Sequence, residues 1–132
     1  MLKLEIVTPE KRVVDETVDS VTVPTLTGEA GILPNHAPLI SVLKPGILTF
    51  TNKGTTERLA VDGGFVEVSS DKVSVMTDTA EGPAEINVDA ARAEKDAAEK
   101  ALAAVANGSM EETADVRDRL EFANARLQLA LR

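Results

Sequence analysis

Few side chains in this 132-residue chain could carry out chemistry. It has one histidine, His36, and no cysteine, so the second imidazole or thiolate that a zinc site needs is missing. Asp62 or Glu67 could act with His36 in a small hydrolase, but no phosphate loop, nucleophile elbow or zinc-peptidase motif accompanies them. The sequence therefore predicts no catalytic residue and no metal ligand, with His36 as a loop imidazole and Asp62 in a turn.

Residues 27–40 form the segment best suited to bind another molecule. Two glycines and two prolines give it a fixed shape, yet four of its side chains are large and apolar, namely Ile32, Leu33, Leu39 and Ile40. One interpretation is a corner between strands that tucks those side chains into the core, and the other is a rigid loop offered to a partner. The candidate partner-binding residues are Glu29, Gly31, Ile32, Leu33, Pro34, His36, Pro38 and Leu39.

The elements that must position this segment are indicated by a change in composition near Pro83. All six prolines, seven of the eight glycines and twelve valines lie in residues 1–83, with only four alanines. Residues 84–132 contain fourteen alanines, one glycine and no proline. Since proline and glycine favour turns and alanine favours helices, we predict a β-sandwich domain at 1–84 and a helical domain at 85–132.

The charge and the apolar pattern narrow the classes of partner. A formal net charge of −8 repels phosphate backbones, so we expect no nucleic acid. No apolar run approaches the ~20 residues that cross a bilayer, and the alternating first residues are unlike a signal peptide. The absence of cysteine fits a reducing compartment. We expect a soluble intracellular protein, or one docked on a larger assembly.

Residues 1–83 show the pattern of short strands. Leu2, Leu4 and Ile6 alternate with polar residues, which predicts a half-buried strand. Further strands are predicted at residues 18–23, 38–43, 46–51, 57–62, 65–68 and 73–76. A turn is expected at residues 10–12, and Pro24 is expected to end the second strand. Closely spaced strands with turn signals between them predict an antiparallel β-sandwich.

The tail carries the start and stop signals of two helices. Asn87 and Ser109 are predicted N-caps, Ser109 in a capping box with Glu112, and Gly108 is a predicted C-cap glycine. The short connection predicts an antiparallel two-helix hairpin, which makes the whole fold α+β.

The apolar stripe of this hairpin is weak. Its predicted members are Val88, Ala91, Lys95, Ala98, Leu102 and Val105 in the first helix and Val116, Leu120, Ala123, Leu127 and Ala130 or Leu131 in the second. A buried leucine or valine contributes roughly 1.5–3 kcal/mol, whereas ordering each residue costs about 1–2 kcal/mol. Because alanines bury little surface, we expect the hairpin to be stable only when it packs against another surface.

The segment Gly28-Glu29-Ala30-Gly31-Ile32-Leu33-Pro34-Asn35-His36-Ala37-Pro38-Leu39 resembles a hallmark of one family. The epsilon subunits of rotary F-type ATP synthases, of the bacterial type, carry G-E-x-G-I-L-P-x-H-x-P-L at this place. Further stretches are similar: residues 4–9, 63–68, 71–75 and 78–81. The resemblance extends over essentially all 132 residues and includes the order of sandwich and hairpin.

The resemblance implies a role without catalysis of its own. A sandwich of about ten strands would pack on the gamma subunit and the c-ring, with the loop from Glu29 to Leu39 facing these partners. The chain would help couple ion-driven rotation to ATP synthesis at the cytoplasmic face of a bacterial plasma membrane, which it would reach only through the complex. Its hairpin would lie folded or extend toward the alpha/beta catalytic head and restrain ATP hydrolysis.

The resemblance also implies roles for hairpin residues. Val88-Asp89-Ala90-Ala91-Arg92-Ala93 is similar to an I/L-D-x-x-R-A motif with which some bacterial relatives bind ATP. It makes Asp89, Arg92 and Arg126 candidate nucleotide-binding residues, with ATP as a weak regulatory ligand. Phe122 and Glu99 depart from the pattern of strong binders, and a glutamate opposes phosphate binding.

Arg117 and Arg119 are candidate contacts to the catalytic head. The alternative is that they are ordinary solvated partners of Asp115 and Asp118 on the same helix.

The main alternative function is a stand-alone β-sandwich module that binds a peptide or a small ligand. Such a module needs an exposed groove with aromatic or polar side chains. The only aromatic residues are Phe50, Phe65 and Phe122, which disfavours a site that stacks on sugars.

Overall fold

The computed structural model describes residues 1–131, which form ten strands, one 3₁₀ turn and two helices. The strands are β1 (Leu2–Val7), β2 (Arg12–Val18), β3 (Ser20–Thr25), β4 (Gly28–Ile32), β5 (Leu39–Leu43), β6 (Gly46–Asn52), β7 (Thr55–Val61), β8 (Gly64–Ser69), β9 (Lys72–Met76) and β10 (Ala80–Glu81). The 3₁₀ turn (Pro83–Glu85) leads into α1 (Val88–Ala104) and α2 (Met110–Ala130). This arrangement confirms the predicted α+β fold.

The strands form one continuous hydrogen-bonded path that folds over a single core. Its order is β10-β7-β6-β3-β5-β8-β9-β1-β2, with β4 paired to β3 beside this path. The strand β3 joins the two parts of the path, since its first half pairs with β6 and its last residue, Thr25, pairs with Leu43 of β5. All pairs are antiparallel except β1 with β9, which is parallel and was not predicted.

Alternation along the strands builds the core, as predicted. Leu2, Leu4 and Ile6 are completely buried, and Val66 and Val68 of β8 meet Val75 and Val73 of β9 across the sheet. The core draws residues from every strand and is continuous. Removal of these apolar side chains from water is the main force that stabilises the sandwich.

Two local predictions about the strands were inexact. The turn expected at residues 10–12 is present, since the Thr8 amide donates to the Lys11 carbonyl at 2.9 Å, but it ends before Arg12. The strand β2 begins at Arg12, because Val14 and Val18 pair with Ile6 and Leu2 and extend the sheet. Pro24 was expected to end a strand, yet β3 continues to Thr25. The pairing of β3 with β6 stops at Thr22, so Pro24 lies beyond it, where the missing amide hydrogen is tolerated.

The helix caps agree with prediction, whereas the first helix ends early. The Asn87 side chain accepts a hydrogen bond from the Ala90 amide, and Ser109 and Glu112 form a reciprocal capping box. The first helix ends at Ala104, before Gly108, and Val105 is exposed.

The buried face of α2 is also displaced from the predicted stripe. Ala123 is buried as expected, but Ala125, Arg126 and Leu129 are buried as well, while Val116, Leu120 and Leu127 are only partly buried. The reason is that α2 packs on two surfaces at once, namely α1 and the sheet at β6 and β7.

Candidate interaction surface

The segment at residues 27–40 combines both predicted interpretations. Residues 28–32 form β4, and Ile32 is completely buried in the core, as the corner interpretation requires. Glu29, Gly31, Leu33, Pro34 and Pro38 are exposed, and Leu39 is partly buried against the core. The segment is therefore anchored by Ala30, Ile32 and Leu39 and presents its exposed residues outward, and its binding role stays a prediction.

Hydrogen bonds hold the tip of this segment in place. The Asn35 amide, at a φ of 68°, donates to Asp71 Oδ1 at 2.7 Å. The His36 amide donates to the Leu33 carbonyl at 3.2 Å, and His36 Nδ1 lies 2.7 Å from the Ala37 carbonyl oxygen, where it can donate a proton. The imidazole is thus bonded within its own loop.

The hydrolase hypothesis has no geometric support. The Asp62 amide donates to the Thr79 carbonyl at the end of β7, and Glu67 is exposed on β8 opposite Ile40. Among the described residues, the hydrogen bonds of His36 go to the backbone of Leu33 and Ala37 and to neither carboxylate. Within residues 1–131, no group of side chains is arranged to hold a metal ion.

Exposed apolar side chains cluster on the outside of β5, β8 and β9. Val42, Phe65 and Met76 stand directly opposite one another in register, and Ile40 lies two residues further along β5. These four residues, here called the outer apolar face, are between 41% and 74% exposed. Large contiguous apolar patches are uncommon on monomeric proteins and are typical of interaction sites, so the outer apolar face is a candidate binding surface.

The outer apolar face has further apolar neighbours. Leu26 is exposed, and its amide donates to the Val42 carbonyl at 3.3 Å, while Val7 is the parallel neighbour of Met76. Gly64 allows the close approach of β8 and β9 here, because a Cβ at this position would lie 1.9 Å from the Met76 carbonyl oxygen.

Sequence reasoning missed the outer apolar face. The available signal was a pair of adjacent apolar residues within one strand, such as Leu39-Ile40 or Val75-Met76. Since neighbouring side chains of a strand point to opposite faces, one member of each pair must point away from the core.

A second, smaller apolar contact joins the hairpin to the sandwich. It consists of Ala60 on β7, Ile86 after the 3₁₀ turn, and Ala125 and Leu129 on α2. These four residues, here called the docking cluster, are separate from the main core and receive partly buried Ile47, Phe122 and Ala130 at their edge.

Charged side chains also lie at the contact between the sandwich and the hairpin. Lys44 and Glu121 form an ion pair at 3.4 Å between the sandwich and α2. Burial raises the pKa of Asp62, and the carboxylates of Asp78, Asp118 and Glu94 raise it further. Negative charge from the hairpin therefore reaches the end of β7 and opposes docking, while the ion pair favours it.

The structure does not bring the three candidate nucleotide-binding residues into one pocket. Asp89 is exposed in the first turn of α1, and Arg92 lines an open groove between the helices together with Glu99. Arg126 is buried and pairs instead with Glu81 and Glu94. Nucleotide binding stays a prediction.

The two candidate contacts to a catalytic head differ in their surroundings. Arg117 bonds within α2, since its Nε donates to Thr113 Oγ1 at 3.1 Å and its Nη2 to the Met110 carbonyl at 2.6 Å. Arg119 is exposed on the same helix. Among residues 1–131, no helix is long and apolar enough to span a membrane.

The fold and its surfaces define an α+β protein in which a β-sandwich carries a docked two-helix hairpin and an exposed apolar face. Residues 1–83 match the family model described as the β-sandwich domain of the ATP synthase delta/epsilon chain. The chain belongs to this ATP synthase delta/epsilon family, and the resemblance stated from the sequence is confirmed.

Relatives extend the match into the helices. The chain is 48% identical over 99 residues to the ATP synthase epsilon chain of Desulfitobacterium hafniense, an overlap of 75% of each chain. It is 41% identical over 128 residues to the epsilon chain of Syntrophobacter fumaroxidans, which covers 97% of this chain and 87% of the relative.

Solved structures show the same fold. A chain of the mitochondrial ATP synthase of Euglena gracilis, determined with its OSCP, F1 and c-ring, superimposes with a TM-score of 0.77 and 25% identity. This match covers 99% of our chain and 81% of the other. A chain from the central stalk and c-ring of the Tetrahymena thermophila mitochondrial enzyme shares the fold at a TM-score of 0.56 and 19% identity, over 64% of our chain and 68% of its own.

Proposed function

We propose that this chain is a non-catalytic subunit of the central stalk of an F-type ATP synthase. Its sandwich packs on the gamma subunit and the c-ring and helps couple ion-driven rotation to ATP synthesis. The observation that carries this proposal is the outer apolar face, which a free-standing protein would leave in contact with water. The exposed Glu29 and Leu33 of the segment at residues 27–40 add a further contact.

The hairpin supplies the regulatory part of the proposal. In the docking cluster only Ile86 and Leu129 are large, and each contributes roughly 1.5–3 kcal/mol when buried. Such a contact lets docked and released states differ by a few kcal/mol, so binding of another surface can shift the balance. The released hairpin extends to the alpha/beta head, where Arg117 and Arg119 contact acidic surface and ATP hydrolysis is restrained.

The remaining parts of the proposal concern place and ligand. The subunit lies at the cytoplasmic face of a bacterial plasma membrane, which it reaches through the c-ring. ATP is at most a weak ligand, because Glu99 shares the groove of Arg92 and opposes a phosphate there.

The role of the outer apolar face is tested by binding to the gamma subunit. We expect the chain to co-purify with gamma and to change the ATPase rate of a catalytic complex depleted of its epsilon subunit. The double variant Phe65→Ser/Met76→Ser should weaken this association about thirtyfold or more, since truncating two interface anchors at about 1 kcal/mol or more each removes about 2 kcal/mol or more of binding free energy. The control, Ser69→Ala/Lys72→Gln, changes the last cross-strand pair of the same two strands.

Two results would contradict the proposal. One is failure of the unaltered chain to associate with gamma, which would favour a stand-alone binding module. The other is equal binding by the two double variants after thermal unfolding has shown that both are folded, which would exclude this face as the contact.

A further inference from the structure

Arg126 occupies an unusual position for a charged side chain. It lies on α2 at the contact with the sandwich and is only 8% exposed. Its Nε is 2.8 Å from Glu81 Oε1 on β10, and its Nη1 donates to Glu94 Oε2 on α1 at 3.3 Å. Its guanidinium carbon lies 5.6 Å from the centre of the Phe122 ring. One side chain therefore joins both helices to the sandwich.

Arg126 can be buried between these carboxylates only while the hairpin lies on the sandwich. A buried guanidinium is tolerated only when carboxylates and hydrogen bonds compensate it. The Nε of Arg126 is close to Glu81 Oε1, but its N–H does not point at that oxygen and forms no hydrogen bond with it. The contact with Glu81 is therefore an attraction between opposite charges. Glu81 belongs to the sandwich and Glu94 to the hairpin, so release of the hairpin breaks the contact with Glu81.

The surrounding charges give Arg126 a second effect. Glu81 and Glu94 meet at the same guanidinium from opposite sides of the contact, and Asp62 feels the charges of Asp118 and Glu94. Without Arg126, carboxylates of the sandwich and of the hairpin would face one another unneutralised. A second ion pair across the contact, Lys44 with Glu121, has both side chains about 40% exposed and contributes little. The Glu94 side chain is 57% exposed and is therefore also screened by water, so the contact with Glu81, which is 22% exposed, carries most of the effect of Arg126.

We propose that Arg126 is an electrostatic latch that holds the hairpin on the sandwich by neutralising Glu81 and Glu94 together. The latch closes without a ligand, because both of its partners belong to the chain itself. Its effect on ATP hydrolysis rests on the proposed function, since only a hairpin that reaches the catalytic head could restrain it.

Hydrogen exchange on the full chain tests the latch. Arg126→Gln should speed exchange of the α2 amides near Ala125 and Leu129 by about tenfold or more, because breaking a buried pair leaves uncompensated charge. Amides of β8 should be unaffected. The control Arg119→Gln removes one arginine from the exposed side of the same helix and should change neither region.

Removing the carboxylates as well separates charge from packing. The triple variant Arg126→Gln/Glu81→Gln/Glu94→Gln lacks the facing negative charges and should regain part of the α2 protection. Equal α2 exchange in Arg126→Gln and Arg119→Gln would overturn the latch. If Arg126→Gln also unfolds the sandwich, Glu81→Gln alone must speed α2 exchange, and an unchanged rate there overturns the proposal.

Two further measurements separate the latch from its consequences. Faster α2 exchange with an unchanged ATPase rate in the assembled complex supports the latch and refutes the restraint of hydrolysis. Hydrogen exchange of the α2 amides in the unaltered chain should be the same with and without millimolar ATP. A tenfold slowing of this exchange by ATP would overturn the claim that the latch closes without a ligand.

Discussion

Replacing Leu129 by alanine should release the hairpin and leave the sandwich folded. Leu129 is 3% exposed and packs with Ala60, Ile86 and Ala125 in the docking cluster. Truncation of a buried leucine costs about 2–5 kcal/mol, and the lower end applies where neighbours can close the space. A loss of about 2 kcal/mol shifts the ratio of docked to released hairpin roughly thirtyfold.

Hydrogen exchange resolved along the chain measures this shift. The amides of α2 between Phe122 and Leu129 should exchange about thirtyfold faster in the variant, since exchange follows the released population. Amides of β8 and β9 should keep their rates, because the main core contains no residue of the docking cluster. The matched control is Leu131→Ala, at the end of the same helix, where the side chain is 59% exposed.

Two outcomes would refute this reasoning. If α2, β8 and β9 exchange faster by the same factor, the hairpin and the sandwich unfold as one unit and the docking cluster is not a separate contact. If Leu129→Ala and Leu131→Ala behave alike, burial of Leu129 does not hold the hairpin in place.

Two further predictions concern the sandwich and its charge. Gly64→Ala should lower the free energy of unfolding by roughly 3 kcal/mol or more, measured by urea denaturation, because the new Cβ meets the Met76 carbonyl and the φ of 111° is strained for alanine. Burial and the carboxylates of Asp78 and Asp118 raise the folded pKa of Asp62 above the ordinary 3.8. The folded protein therefore takes up this proton before the unfolded chain does, so the free energy of unfolding should increase as the pH falls toward 3.8 and decrease as the pH rises through the folded pKa. Asp62→Asn should reduce this part of the pH dependence, and an unchanged profile would refute the assignment.

The sequence predicted those parts of the fold that follow from local pattern. Leu2, Leu4 and Ile6 alternate with polar residues, and they are buried because one face of a strand meets the core. The caps Asn87 and Ser109 were also predictable, since they bond within three residues along the chain.

The parts that depend on distant neighbours could not be predicted. Arg12 looked like a turn residue, and only the pairing of β2 with β1 makes it the start of a strand. The resemblance made Arg126 a candidate nucleotide-binding residue, but Arg126 pairs with Glu81, which lies 45 positions earlier in the sequence and meets it only when the hairpin is docked. In both places tertiary contact overrides the local signal.

The positions of the two apolar surfaces explain how one sandwich could serve two tasks. The outer apolar face lies on β5, β8 and β9, whereas the hairpin packs on β6 and β7. In the order of strands, β3 stands between these groups. A partner that covers Phe65 and Met76 therefore need not displace Leu129 from its contact. In the proposed function the sandwich would stay anchored while the hairpin docks or leaves, as a regulatory arm on a rotating stalk requires.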